Sequence, residues 1–411
     1  MTVSHVLRRL TFGPTASEVD DAAPVDALLK PAALPAPPDL GPDPIGALPK
    51  GASRDQKIKA RQAAQDQVAT LTKWWLGRMT TGGAAEKLVF FWHGHWATSV
   101  QKVKSAQLML RQQETFRRYG HGDTGPFVRA MLRDPALILW LDGQRNTAKA
   151  PNENLARELM ELFTLGVGQY TEDDVKAGAR ALTGWQVDRA AGTAKLLPRR
   201  HVETPETLLG QTGTFDTDSY ADLLVRHPAH APYLATRLWV RYGSGTAPSA
   251  ATTQRLVAAF GPGRDVTAML RALVTDPEFE ATNGQLVKQP VEWLLGAARQ
   301  LGVEVNAQLL RPLGQVPFRP PSVGGWPVGA AWLTTSSTQA RIKTGLTLAA
   351  RADAAVQTLT EAGKADRLDA LARLLVVDRW TDRTAAVLTP AVQQPQRLLA
   401  LGLATPEYAV H

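Results

Sequence analysis

Apolar positions along most of this chain recur at the spacing of one face of an α-helix, and runs of strict alternation are scarce. From Arg54 to Met79 the residues Ile58, Val68, Leu71, Trp74 and Trp75 suit one long amphipathic helix, which Gly82-Gly83 breaks. The next helix, roughly Ala85 to Trp96, carries Leu88, Val89, Phe91 and Trp92 and is expected at the centre of the core. Further helices are predicted over 1–13, 103–119, 127–140, 219–242, 252–261, 265–274, 288–301, 337–361, 366–377 and 393–403. Between them, residues 31–50 hold seven prolines and read as an extended connector. Residues 186–218 read as an irregular insert. The run PFRPPSVGGWP at 317–327 must be a fixed loop, anchored by Trp326 and Trp332.

The expected fold is therefore mainly α, a large multi-helix array around one core with long Pro/Gly-rich loops and little or no β-sheet. It divides into an N-terminal helix with its Pro-rich connector (1–50), a helical core domain (51–350) and C-terminal helices packing on that core (351–411). LVTDPEFEA (273–281), LATPEYAV (403–410) and, more faintly, MLRDPALIL (131–139) echo one another. Their irregular spacing marks a recurrent helix-stop device and not a solenoid.

Composition narrows the function classes. The chain has 411 residues, is 44% hydrophobic and 20% charged, and contains no cysteine. Disulfides, thiol nucleophiles and Cys-based metal sites are excluded. Lys and Arg exceed Asp and Glu by 46 to 38 without forming a block, so nucleic acid is not the expected partner. The excess favours an anionic small molecule or polymer. No stretch approaches a membrane span, and the sequence leaves the oligomeric state open. If Met1 is the native start, the expected location is the cytoplasm; a leader ahead of it would mean export.

Candidate chemistry concentrates in Leu141–Trp185 and in Phe91-Trp92-His93-Gly94-His95-Trp96. In the first stretch a polar loop, 146–154, runs into a helix on which Asn154, Glu158 and Glu161 share one face beside Arg157. Asn152 is placed to cap that helix and Glu153 to favour its positive end. Two carboxylates one turn apart among apolar residues call for a cation, a metal or a shared proton. The plain structural reading is an Arg157–Glu161 ion pair, with Glu158 bonded to a nearby loop. The functional reading makes Glu158, Glu161 and Arg157 catalytic. His93 and His95 with Glu158 then form a two-His, one-carboxylate site for a divalent metal (Zn, Fe or Mn). Asp142, Asn146, Asn152 and Asn154 become substrate-binding, together with Trp185, one of 11 tryptophans available to stack on a sugar. Thr171 and Asp174 read as a capping box. His201 is a third-ligand candidate on a loop; His5, His227, His230 and His411 offer no pattern.

These stretches carry a resemblance. HVLRRLTFGPTASEV (5–19), KLVFFWHGHWATSVQKV (87–103), DPALILWLDGQRN (134–146), PNENLARELMELFTLGVGQYTEDDV (151–175), RALTGW (180–185), HVETPETLLGQTG (201–213), PPSVGGWPVGAAWLTTSSTQAR (320–341) and TPEY (405–408) resemble the bacterial domain-of-unknown-function 1800 family nearly end to end. The resemblance brings no activity with it. It implies that His93, His95, Asp142, Asn146, Asn152, Glu153, Asn154, Arg157, Glu158 and Glu161 belong to the family's motif blocks. After His201 the family pattern runs Asp and then Gly, whereas Val202 and Glu203 follow here.

Three functions fit these residues. The first is a metal-dependent hydrolase or oxygenase. The second is a metal-free glycan-active enzyme with paired carboxylates. The third is a non-catalytic scaffold or glycan-binding protein with a buried polar network.

Overall fold

The computed structural model of the chain describes residues 2–30 and 36–411. It is 60% helical and 5% strand, so the protein is mainly α. The first five residues of the expected connector, 31–35, lie outside the described residues. The remainder, 36–50, has no regular structure beyond turns, and side chains of the long helix hold it. Trp74 Nε1 donates to Ala36 O at 3.0 Å and Gln67 Nε2 donates to Pro42 O at 3.1 Å.

The long helix spans Arg54–Thr81 and opens with a capping box between Ser53 and Gln56. Val68, Leu71, Trp75, Leu76 and Met79 face inward, but Ile58, counted in its apolar stripe, is exposed. The following helix, Gly83–His95, is buried nearly all round, including both of its histidines. One continuous apolar cluster runs from Val6 to Tyr408, so the three expected segments share a core.

The structure departs from the periodicity in places where a local residue interrupts it. The helix expected at 219–242 is two, Thr217–Arg226 and His230–Tyr242, separated at Pro228, which lacks the amide needed to continue the first. Likewise 337–361 divides into Thr335–Ala349 and Asp353–Glu361. The insert at 186–218 holds two short antiparallel hairpins, Trp185–Asp188 with Thr193–Leu196 and Glu206–Leu208 with Gln211–Gly213. The second pairs Leu208 with Gln211, which leaves Leu209-Gly210 as a two-residue turn with both φ positive.

The echoed motifs start helices as well as stopping them. Asp134, Asp276 and Thr405 each cap a short helix whose first residue is proline: Pro135–Trp140, Pro277–Glu280 and Pro406–Ala409. Each is a sharp corner between one helix and the next.

Candidate functional site

The polar loop before the acidic helix is built on Asn146, which is buried. Its Nδ2 donates to Ala179 O at 2.6 Å and its Oδ1 accepts from Asn152 N–H at 2.9 Å. Asn152 Oδ1 in turn accepts from Asn154 N–H at 3.1 Å, and Asn154 Nδ2 donates to Leu141 O at 3.2 Å. These three asparagines therefore fold the loop onto the helix start, with their amides spent on backbone. Asp142, in the left-handed region at φ 59°, holds Lys102 at 2.7 Å on the surface. The Trp185 indole is buried and donates to Thr217 Oγ1 at 2.9 Å, so it presents no open face for a sugar. His201 bonds to Thr183 and lies with the hairpins.

The acidic helix begins at Asn154, one residue later than an Asn152 cap implies, and is α-helical only to Glu158. From Leu159 to Thr164 it widens into a π-helix. Leu165 N–H bonds to Met160 O at 2.9 Å and Thr164 Oγ1 donates to Leu159 O at 2.6 Å, both five residues back. Such turns are rare and recur at functional sites. This one leaves three successive carbonyls at its end, and each receives a side chain from elsewhere. Leu162 O accepts from Tyr233 Oη at 2.6 Å, Phe163 O from His95 Nε2 at 2.9 Å, and Thr164 O from His230 Nδ1 at 3.1 Å. Gly166, at φ 89°, ends the turn because a Cβ there would meet the Tyr233 ring at 2.8 Å. His230 and Tyr233 lie on the Pro-interrupted helix pair, and nothing in their local sequence marked them.

His93 organises a different segment. Its Nε2 accepts the Phe318 N–H at 2.9 Å, while Phe318 O accepts from Val100 N–H at 2.9 Å. Together these two bonds hold Phe318 at φ 66°, a conformation a bulky residue rarely adopts. Just beyond, Gly325 crosses Gly94 so closely that a Cβ would sit 2.3 Å from Gly94 O, and Trp326 lies against the His93 ring with centroids 5.2 Å apart. The glycine of the His-Gly-His motif is thus the crossing point of the Pro/Gly-rich loop. Burial pushes both His93 and His95 down to about 3, so both rings are neutral.

These bonds fix the proton positions on both histidines. The His93 Nε2 lone pair is occupied by a backbone amide, which leaves its proton on Nδ1. His95 must carry its proton on Nε2, because a carbonyl only accepts. Among the described residues no group of three or more His, Asp or Glu is placed to hold a metal ion. His93, His95 and Glu158 do not come together as a ligand set.

The carboxylates remain. Arg157 is taken up by Glu172, with Nη1 and Nη2 at 2.7 and 2.8 Å, and by Glu153 at 3.1 Å, so the expected Arg157–Glu161 pair does not form. Glu161 accepts from Tyr170 Oη at 3.0 Å. Glu158 is half-buried, with no hydrogen bond or ion pair among the described residues, and the expected loop bond is missing. Burial pushes its carboxyl up, the Glu161 charge adds to that, and Arg157 opposes it. Burial also raises the Tyr233 hydroxyl, on which the charges of Arg237 and Glu161 act in opposite senses.

A cavity of about 900 Å³ lies elsewhere, between Arg8, Asp378, Arg383 and Glu407, and is lined by none of the candidate site residues. Both of its acids are engaged, Asp378 by Arg8 and Asn283 and Glu407 by Thr381 and Thr384.

Fold and site together define a mainly helical protein whose motif histidines cap backbone and whose free carboxylate sits where an α-helix widens into a π-turn. The chain belongs to the family described as Protein of unknown function (DUF1800), whose model matches residues 5–410. No curated protein and no solved structure matches it.

Proposed function

We propose that the protein is an enzyme working by acid–base chemistry at Glu158 and Glu161 on an anionic glycan or related polymer. One observation carries this reading: Glu158 is half-buried beside a second carboxylate, has no hydrogen-bond or ion-pair partner among the described residues, and has a raised pKa. A group left in that state costs stability, and the upward shift favours its protonated, proton-donating form. Glu158 is then the acid. Glu161, oriented by the Tyr170 hydroxyl, is the partner that accepts a proton. The change from α to π geometry falls between the two acids.

A second reading, a scaffold or glycan-binding protein, is favoured by the number of motif side chains spent on structure: Asn146, Arg157, His93 and His95. Incubation with a panel of acidic glycans, with and without chelator, separates these readings. Product formation that survives chelator and falls at least a hundredfold in Glu158→Gln supports the enzyme. Saturable binding without turnover supports the scaffold. Turnover abolished by chelator and restored by zinc, iron or manganese supports the metal-dependent hydrolase or oxygenase.

A further inference from the structure

Beside the π-turn, where the Gly83–His95 helix, the His230–Tyr242 helix and the Gly325-Trp326 crossing meet, there is a small cavity of about 40 Å³. Its walls include Gly94, His95, Arg237, Arg241, Gln289 and Trp326. Three N–H donors on these side chains are buried with no partner: Arg237 Nε, Arg241 Nη2 and Trp326 Nε1. Arg241 is 8% exposed and Trp326 9%. Buried donors are ordinarily paired, and three on the residues that line one cavity are an imbalance that a ligand corrects.

The charge around the cavity points the same way. Glu292 is the acid beside it, and it already meets both Arg241 at 2.9 Å and Lys87 at 2.8 Å. Arg237 has no ion-pair partner among the described residues. The wall therefore carries more positive charge than its own acid cancels. Arg237 and Arg241, four apart on one helix, present that excess on one side. Trp326 is fixed opposite them by the close passage of Gly325 over Gly94.

We infer that this cavity binds a single carboxylate group, held by Arg237, Arg241 and the Trp326 indole. The volume suits a group of a few heavy atoms, since a single water needs roughly 10–15 Å³ of such space. Charge-assisted bonds from two guanidinium groups suit a planar oxyanion better than a spherical halide. The assignment stands apart from the carboxylate pair. It needs no reaction at Glu158, and its failure would leave that site untouched.

The test is a thermal-shift titration of the whole chain at constant ionic strength. The probes are formate, glucuronate, chloride and phosphate, and the proteins are wild type, Arg237→Gln and Trp326→Phe. Formate should raise the melting temperature saturably. Its apparent affinity should fall on the order of tenfold in Arg237→Gln and less in Trp326→Phe, which keeps an aromatic ring but loses the N–H and part of the ring volume. A matching response to glucuronate means that the acid enters as part of a larger ligand, whereas formate alone means a free small acid. No saturable shift with either probe would overturn the inference. So would a shift unchanged in both variants, or chloride acting as well as formate.

Discussion

His95 Nε2 donates to Phe163 O at 2.9 Å across 68 positions of sequence, tying the His-Gly-His helix to the π-turn that carries Glu161. His95 is therefore a positioning residue, and its substitution should act on the turn before it acts on anything else. His95→Ala removes the bond and empties a site packed by Phe91, Trp92, Trp96 and Phe163. The expected loss is about 2–4 kcal/mol of unfolding free energy, readable from denaturant melts. Hydrogen exchange should quicken at Leu165 and Gly166, whose amides close the turn. Unchanged exchange there would remove His95 from this role.

The two histidines also predict an acid response. Each is held neutral in the fold down to about 3 but titrates near 6.5 as a free side chain. Between those values only the unfolded chain takes up the proton. Their contribution is fully present above 6.5 and declines as pH falls toward 3. Each such group contributes a slope of about 1.4 kcal/mol per pH unit. Stability measured from pH 7 to 4 should lose part of that slope in His93→Gln, with His95 still contributing; an identical slope would contradict neutral burial of His93.

The Glu161 charge should be legible in the titration of Glu158. Because the Glu161 charge helps to raise Glu158, Glu161→Gln should lower the Glu158 pKa. Carboxyl-carbon NMR on glutamate-labelled protein reads this directly, with Glu158→Gln assigning the resonance. A Glu158 that titrates identically with and without Glu161 would separate the two acids and end the pairing.

The loop crossing and the asparagine clip make stability predictions of a plainer kind. Gly325→Ala places a Cβ against Gly94 O at a φ of 83°, at an expected cost of about 1–3 kcal/mol from the backbone conformation alone. Asn146→Ala strands Ala179 O and the Asn152 amide, and should cost about 2 kcal/mol or more. Chemical denaturation of each variant checks both. Wild-type midpoints would mean that the loops are held by other contacts.

Helical periodicity was enough to give the mainly α architecture, the long Arg54–Thr81 helix and the central place of Gly83–His95, because burial imposes that spacing directly. The motifs also singled out His93, His95 and the carboxylates, but not what they touch. His93 and His95 are adjacent in the motif yet serve segments 225 and 68 residues away, and spacing cannot distinguish two separate backbone bonds from a shared metal. His230 and Tyr233 were passed over because their importance lies in the carbonyls they meet. The π-turn has no composition signal of its own; Glu161 reads as one more helical position. The hairpins in the insert hold only three or four residues per strand, too short for alternation to register.

The most direct measurement of the central claim, that the motif histidines build the site and the carboxylates are its working part, is the melting temperature of Glu158→Gln/Glu161→Gln at pH 7. Amides in place of two crowded acids, one of them without a partner, relieve desolvation and repulsion, and functional residues commonly hold such unfavourable states at the expense of stability. The account predicts a melting temperature equal to or above that of the wild type, while His95→Gln melts several degrees lower. A collapse of the double variant, with His95→Gln unaffected, would make the carboxylates the framework and contradict the account.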